Sequence, residues 1–253
     1  MFATPVRSRW FQPYRYSQAS AARLFCFHFA GGGASVFRGW ADALPQEIDV
    51  VAVQLPGRES RFAEPRFTRF PPLIAALADE IAPYLDRQCF FFGHSMGALV
   101  SFELMCELRR RGLRLPTVYF PAGRRAPPIA DEDAPIHGLP DDAFVARLLQ
   151  DYRATLPAVM ENAELRDLML PMLRADFELC ETYRHAPEPP FDVPIVALGG
   201  VDDPDPTEAQ LVRWKEMTTG TFRHFIFAGD HFFIDSSRAQ VIQLVRNIMQ
   251  AAL

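Results

Sequence analysis

The pentapeptide Gly93-His94-Ser95-Met96-Gly97 constrains what this chain can fold into more than any other stretch. It follows a short apolar run, Cys89 to Phe92. It precedes a stretch from Ala98 to Arg111 that reads as a long helix ending at Gly112, with arginines in the last turn, where the helix dipole favours cations. In that strand, turn and helix context, G-x-S-x-G acts as a nucleophile elbow. The turn must be sharp enough to lift the serine oxygen clear of the sheet. Glycines at its two ends let strand and helix approach without a Cβ clash. The following helix then aims its N-terminus at the reacting oxygen, where the dipole stabilises developing negative charge. A plain glycine-rich turn is the competing reading, and the flanking strand and helix argue against it.

The same strand and helix rhythm runs through the 253 residues. Arg23 to Phe29 reads as a buried strand entering the tight turn at Gly31-Gly32-Gly33, with a helix starting near Ser35. Ile48 to Leu55 is β-branched and stops at Pro56-Gly57, a second strand. Pro71 to Leu85 places Leu73, Leu77, Ile81 and Leu85 at helical spacing. Thr117 to Ala122, Ile195 to Leu198 and Phe225 to Ala228 are further strands. Helices are expected at Glu208 to Met217 and Ser237 to Ala251. Apolar strands alternating with helices predict a largely parallel sheet covered on both faces, the α/β-hydrolase fold, in a single domain over 1–253. The rhythm breaks at about 138–185, where three helices follow one another (Asp141 to Leu149, Glu161 to Met169, Pro171 to Tyr183). That segment is too long for one crossover and predicts a helical insertion over the active edge of the sheet. The proline-rich Ala186 to Pro194 returns the chain to the sheet.

A serine hydroxyl needs a base to become nucleophilic, and in this fold the chain order is Ser, then Asp or Glu, then His. His231, in the turn Gly229-Asp230-His231-Phe232-Phe233 after the last strand, fits that order. His28, His94, His137, His185 and His224 fit it less well. The orienting acid should follow a late strand, and Ile195 to Leu198 leads to Asp202 and Asp203. Asp203, just before Pro204, suits the loop better, with Asp202 the alternative. Oxyanion donors are expected at the N–H groups of Met96 and Ala30. The glycine run beside Ala30 lacks both the Lys-Ser/Thr ending of a P-loop and the G-x-G-x-x-G spacing, so nucleotide binding is not expected.

Composition excludes several other classes. A net charge of -5 does not suit a nucleic-acid binder. Cys26, Cys89, Cys106 and Cys180 form no CxxC pair and read as buried free thiols. Met1 to Ala22 lacks the apolar stretch of a secretory signal, and no segment has the length of a membrane span, so a cytoplasmic protein with no membrane partner is expected.

Taken together, Phe29-Ala30-Gly31-Gly32, Ala34-Ser35 with Phe37 and Trp40, Gln54-Leu55-Pro56-Gly57-Arg58-Glu59, the Ser95 pentapeptide, Leu173-Arg174-Ala175-Asp176-Phe177, Trp214 and Gly229 to Phe233 resemble the discrete type II thioesterases. These are the editing hydrolases that accompany polyketide synthases and nonribosomal peptide synthetases, and the resemblance runs over nearly the whole chain. It implies a helical lid over the serine and a phosphopantetheine arm entering beneath it. It also implies a docked acyl or peptidyl carrier protein domain, and hydrolysis of misprimed or stalled acyl groups with no metal or organic cofactor. Phe29 stands where the family usually has a histidine, and Pro206 where it has a hydrophobic residue. A malonyl-type acyltransferase would carry an early Gly-Gln-Gly, absent here. A generic carboxylesterase shares the fold, and a non-catalytic carrier-binding module would lack the triad. In the insertion, Leu149, Met160, Met169, Met172 and Phe177 read either as an acyl chamber or as helix packing. Arg109-Arg110-Arg111 reads as a solvated helix end before it reads as a docking patch.

Overall fold

A computed structural model describes residues 8–130, 133–151 and 162–253. The first residues of the Met1 to Ala22 stretch, Met160, and the expected helix start at Glu161 lie outside them. Seven strands form one sheet: β1 (Phe11–Arg15), β2 (Ala22–Phe27), β3 (Ile48–Val53), β4 (Gln88–His94), β5 (Tyr119–Ala122), β6 (Ile195–Gly200) and β7 (Phe222–Phe227). Their spatial order is β1-β3-β2-β4-β5-β6-β7, every pair parallel except β1 with β3. This is the largely parallel sheet expected. β2, β3 and β6 are buried at every residue, which is why their sequences read as continuous apolar runs rather than alternating ones.

The helices are α1 (Trp40–Ala43), α2 (Phe70–Ile81), α3 (Met96–Arg110), α4 (Asp141–Asp151), α5 (Ala163–Glu181), α6 (Glu208–Val212), α7 (Phe233–Ser236) and α8 (Arg238–Ala252). Strand alternation sends Phe25, Phe27 and Phe91 to the side covered by α2 and α3. Leu24, Cys26, Phe90 and Phe92 go to the side covered by α1 and α8. Leu73, Leu77 and Ile81 form the buried stripe of α2 at the spacing read from the sequence, with Pro71 and Pro72 in its first turn, where a missing N–H is tolerated. Leu85 lies past a 3-10 turn at Ala82–Tyr84.

Four readings change. β1 was not anticipated: it is an edge strand mixing polar and aromatic residues, and it tolerates Pro13 because an edge strand can spare a ladder hydrogen bond. The helix expected near Ser35 is a 3-10 turn (Ala34–Phe37) followed by the short α1, and the one expected over Glu208 to Met217 is α6 plus a 3-10 stretch (Arg213–Met217). The two helices expected on either side of Leu170 are one, α5, which runs through Pro171. An interior proline costs about 3 kcal/mol. Here the buried positions Leu170, Leu173, Asp176 and Leu179 keep helical phase across it, and that packing outweighs the lost hydrogen bond. α4 and α5 share a small core of Ile136, Phe144, Leu148, Leu170 and Leu173. From Gly123 to Pro194 no strand occurs among the described residues. No helix among the described residues is long and apolar enough to cross a membrane.

Candidate active site

Ser95 joins β4 to α3 at φ 54 and ψ -115, a left-handed conformation that costs a residue with a Cβ about 1–2 kcal/mol. The turn is closed by its neighbours. A Cβ on Gly93 would lie 2.4 Å from the Gly97 carbonyl oxygen, and one on Gly97 would lie 2.2 Å from that of Phe27. Only glycine lets α3 start so close to the ends of β2 and β4. The Ser95 N–H donates to the Ala122 carbonyl at 2.8 Å, which ties the elbow to β5.

His231 lies in the loop between β7 and α7, and Asp203 in the loop after β6. The Asp203 carboxylate can only accept, so His231 Nδ1–H donates to its Oδ2 at 2.9 Å. That tautomer leaves Nε2 to accept from the Ser95 hydroxyl, also at 2.9 Å. Asp203 is 7% exposed and His231 8%. The second Asp203 oxygen accepts from the Asp205 N–H at 3.1 Å. Asp202 points to solvent, and its N–H donates to the Gly229 carbonyl at 3.0 Å. The structure therefore brings Ser95, His231 and Asp203 together and leaves Asp202 outside.

The other histidines take different places. The ring of His94 packs 5.3 Å from that of His231, and burial, then the neighbouring His231 charge, hold it well below the usual imidazole range. His28 is lowered to about 4 by burial and next by the Arg58 charge. Both are neutral near pH 7, so His94 sets no cation beside His231. His137 bonds Glu181, and His224 pairs with Glu208 at 2.9 Å. Phe29, at the position where the resemblance led to a histidine, packs edge-on against Phe232 at 5.2 Å and His94 at 5.7 Å, so it walls the site.

Met96 is the first residue of α3, where a helix N–H has no partner within the helix. Ala30 borders, with Ser95, the two cavities that open onto the serine. Its loop is held from several sides: Ala34 N–H donates to Gln54 Oε1 at 3.0 Å, and Ser35 Oγ–H to Glu59 Oε1 at 2.6 Å. Arg58 and Asp176 also reach it. From the sequence, Gln54, Arg58, Glu59 and Asp176 are visible only as members of the family-like stretches Gln54 to Glu59 and Leu173 to Phe177, with no task of their own. The signal available was the presence of charged residues within segments otherwise turned inward.

A cavity of about 420 Å³ over Ser95 is lined from α5 by Leu168, Met169, Met172, Leu173 and Phe177. Leu149 packs with the insertion's own core instead. A second cavity of about 690 Å³ also reaches Ser95 and includes Arg124, Arg125 and Tyr183. Arg109 and Arg110 pair with Glu188 at 2.5 and 2.8 Å, and Arg111 with Asp79 at 2.5 Å, as befits a solvated helix end. Cys26, Cys89 and Cys106 are buried free thiols. Among the described residues no cluster of His, Cys, Asp and Glu could hold a metal ion.

A sequence model of the thioesterase domain family matches residues 22–251. The chain is 41% identical to the linear gramicidin dehydrogenase LgrE of Brevibacillus parabrevis over 248 residues, 97% of this chain and 94% of that protein. Among solved structures it is similar to RedJ, the thioesterase from the prodiginine biosynthetic pathway in Streptomyces coelicolor, at TM-score 0.84 and 38% identity over 90% of this chain and 86% of that one. It is also similar to the type II thioesterase BorB from the borrelidin biosynthetic cluster, at TM-score 0.83 and 32% identity over 94% of this chain and 95% of that one.

Proposed function

The chain belongs to the thioesterase family, and on that premise we propose that it is a type II editing enzyme. It hydrolyses acyl thioesters on the phosphopantetheine arms of carrier proteins, releasing aberrant or stalled acyl groups from a nonribosomal peptide or polyketide assembly line. The observation that carries this reading is the unbroken run of hydrogen bonds from Asp203 through His231 to Ser95, open to two cavities.

His231 Nε2 takes the Ser95 proton as the oxygen adds to the thioester carbonyl. The oxyanion that forms is held by the N–H groups of Ala30 and Met96, aided by the N-terminal dipole of α3. Collapse breaks the carbon–sulfur bond, and the imidazolium returns its proton to the leaving pantetheine sulfur. Water, deprotonated by His231, then attacks the acyl-serine ester, and the imidazolium returns that proton to Ser95 Oγ as the free acid leaves. Asp203 keeps the imidazole in the working tautomer and stabilises its positive charge. Serine, histidine, aspartate and water suffice, with no metal or organic cofactor. We read the chain as one catalytic domain with α4 and α5 as its lid. The buried free thiols of Cys26, Cys89 and Cys106 support a reducing, cytoplasmic setting.

Oxidoreduction of the kind named for LgrE finds no counterpart in these residues: the glycine run at Gly31 lacks dinucleotide-binding spacing and lies in the loop beside Ser95. The test is acid release from an acylated carrier protein, with an oxygen ester of the same acyl chain as comparison. The wild type is expected to favour the thioester, and Ser95→Ala to lose about a thousandfold or more in kcat. Undiminished turnover by Ser95→Ala overturns the reading. Preference for the oxygen ester would make the protein a carboxylesterase instead.

A further inference from the structure

We propose that Arg58 and Asp176 are positioning residues, a buried ion pair through which α5 sets the geometry of the Ala30 oxyanion donor. The proposal rests on the hydrolytic reading above. Asp176 is 1% exposed and Arg58 4%. Arg58 Nη2 donates to Asp176 Oδ1 and Arg58 Nη1 to Oδ2, each at 2.7 Å, a bidentate fork. Burying two charges cancels much of their attraction, so stability alone is a poor reason for the pair to stand here.

Its remaining hydrogen bonds explain the position. Asp176 Oδ2 accepts from the Gly31 N–H at 2.8 Å, and Arg58 Nη1 donates to the Gly32 carbonyl at 3.1 Å. The Gly32 N–H in turn donates to the Phe29 carbonyl at 3.0 Å, and that carbonyl belongs to the same planar peptide unit as the Ala30 N–H. The pair therefore clamps the first and third peptide units after Ala30, and the second, held between them, bonds through the Gly32 N–H to the unit that carries the donor. Gly31 adopts φ +80, a conformation glycine reaches freely and leaves as freely, so the loop needs outside bonds to hold it. Leu173, one turn before Asp176 on α5, presses on the same residue: a Cβ on Gly31 would lie 2.6 Å from Leu173 Cδ2. α5 thus meets Gly31 twice on one face, by packing and by hydrogen bond. The same helix walls the apolar cavity with Met169, Met172 and Phe177, so whatever moves α5 there also moves the carboxylate that holds the loop. Arg58 has an electrostatic task as well, because a bare carboxylate beside Gly31 would repel the oxyanion forming next to it.

The test uses a short-chain N-acetylcysteamine thioester, with competent sites counted by fluorophosphonate titration of Ser95. A trifluoromethyl ketone, which forms an oxyanion when serine adds to it, serves as transition-state mimic. Asp176→Ala and Asp176→Asn are expected to lower kcat per titrated site by about 100-fold with KM within about threefold, and to weaken the ketone in parallel. Arg58→Lys, a point charge without the fork, is expected to lose about tenfold. Asp141→Ala, which breaks the exposed pair between Asp141 on α4 and Arg174 on α5, should stay within about twofold. If Asp176→Asn and Arg58→Lys keep wild-type kcat per titrated site and only fewer sites titrate, the pair is structural and the proposal is overturned. If the wild type itself neither labels nor hydrolyses, the hydrolytic reading falls first and takes this one with it.

Discussion

Asp202 and Asp203 are neighbours with the same charge, yet only Asp203 Oδ2 meets an imidazole, at 2.9 Å. Asn at position 203 can offer His231 Nδ1 a carbonyl but no negative charge, or an amide that stabilises the wrong tautomer. Asp203→Asn is therefore expected to lower kcat by about 10⁴ with the fold intact, and Asp202→Asn to leave it within about twofold. Steady-state turnover of the two variants checks this; equal losses would refute the assignment. Legibility at this scale is uneven. The serine and histidine stand out in the sequence because each sits in a turn of distinctive composition between regular elements. The choice of carboxylate does not, because adjacent residues share a local context and differ only in where the loop aims them.

α5 contributes a wall to the apolar cavity and a carboxylate to the loop beneath it. If that cavity receives the acyl chain, a polar group at Met172 removes apolar surface worth about 0.8 kcal/mol per methylene in contact. Met172→Gln is expected to lower kcat/KM for an octanoyl thioester relative to an acetyl one by about tenfold or more. Unchanged selectivity would assign these methionines to helix packing alone. Local pattern was misleading for this element: Pro171 marks a helix break, but Leu170, Leu173 and Asp176 remain in helical phase across it. Edge strand β1 was invisible for the complementary reason, since Phe11 to Arg15 has no periodicity of its own and becomes a strand by pairing with β3.

Across the whole molecule, two buried histidines tie stability to pH. His28 falls from 6.5 to about 4 on folding, mainly through burial and next through Arg58. Its folded-state value lies below its unfolded one, so the unfolded chain binds the proton more tightly. Stability is full above about pH 6.5 and declines as pH falls toward 4, by up to about 3 kcal/mol from this residue. His94 is shifted in the same direction and adds to the slope. Urea unfolding midpoints at pH 7.5, 5.5 and 4.5 should show the decline in the wild type and a shallower one in His28→Asn; parallel declines would refute the assignment.

The sequence by itself determined the elbow around Ser95, the alternation of buried strands with covering helices, and the order in which Ser95, Asp203 and His231 occur. Each of these is written in backbone preference or apolar periodicity over a few neighbouring residues. Tertiary structure alone decided that Asp203 and not Asp202 faces His231, that α5 continues through its proline, and that Arg58 reaches Asp176, 118 positions away. Such pairings depend on where whole elements come to rest against one another, and no local run of residues encodes that placement.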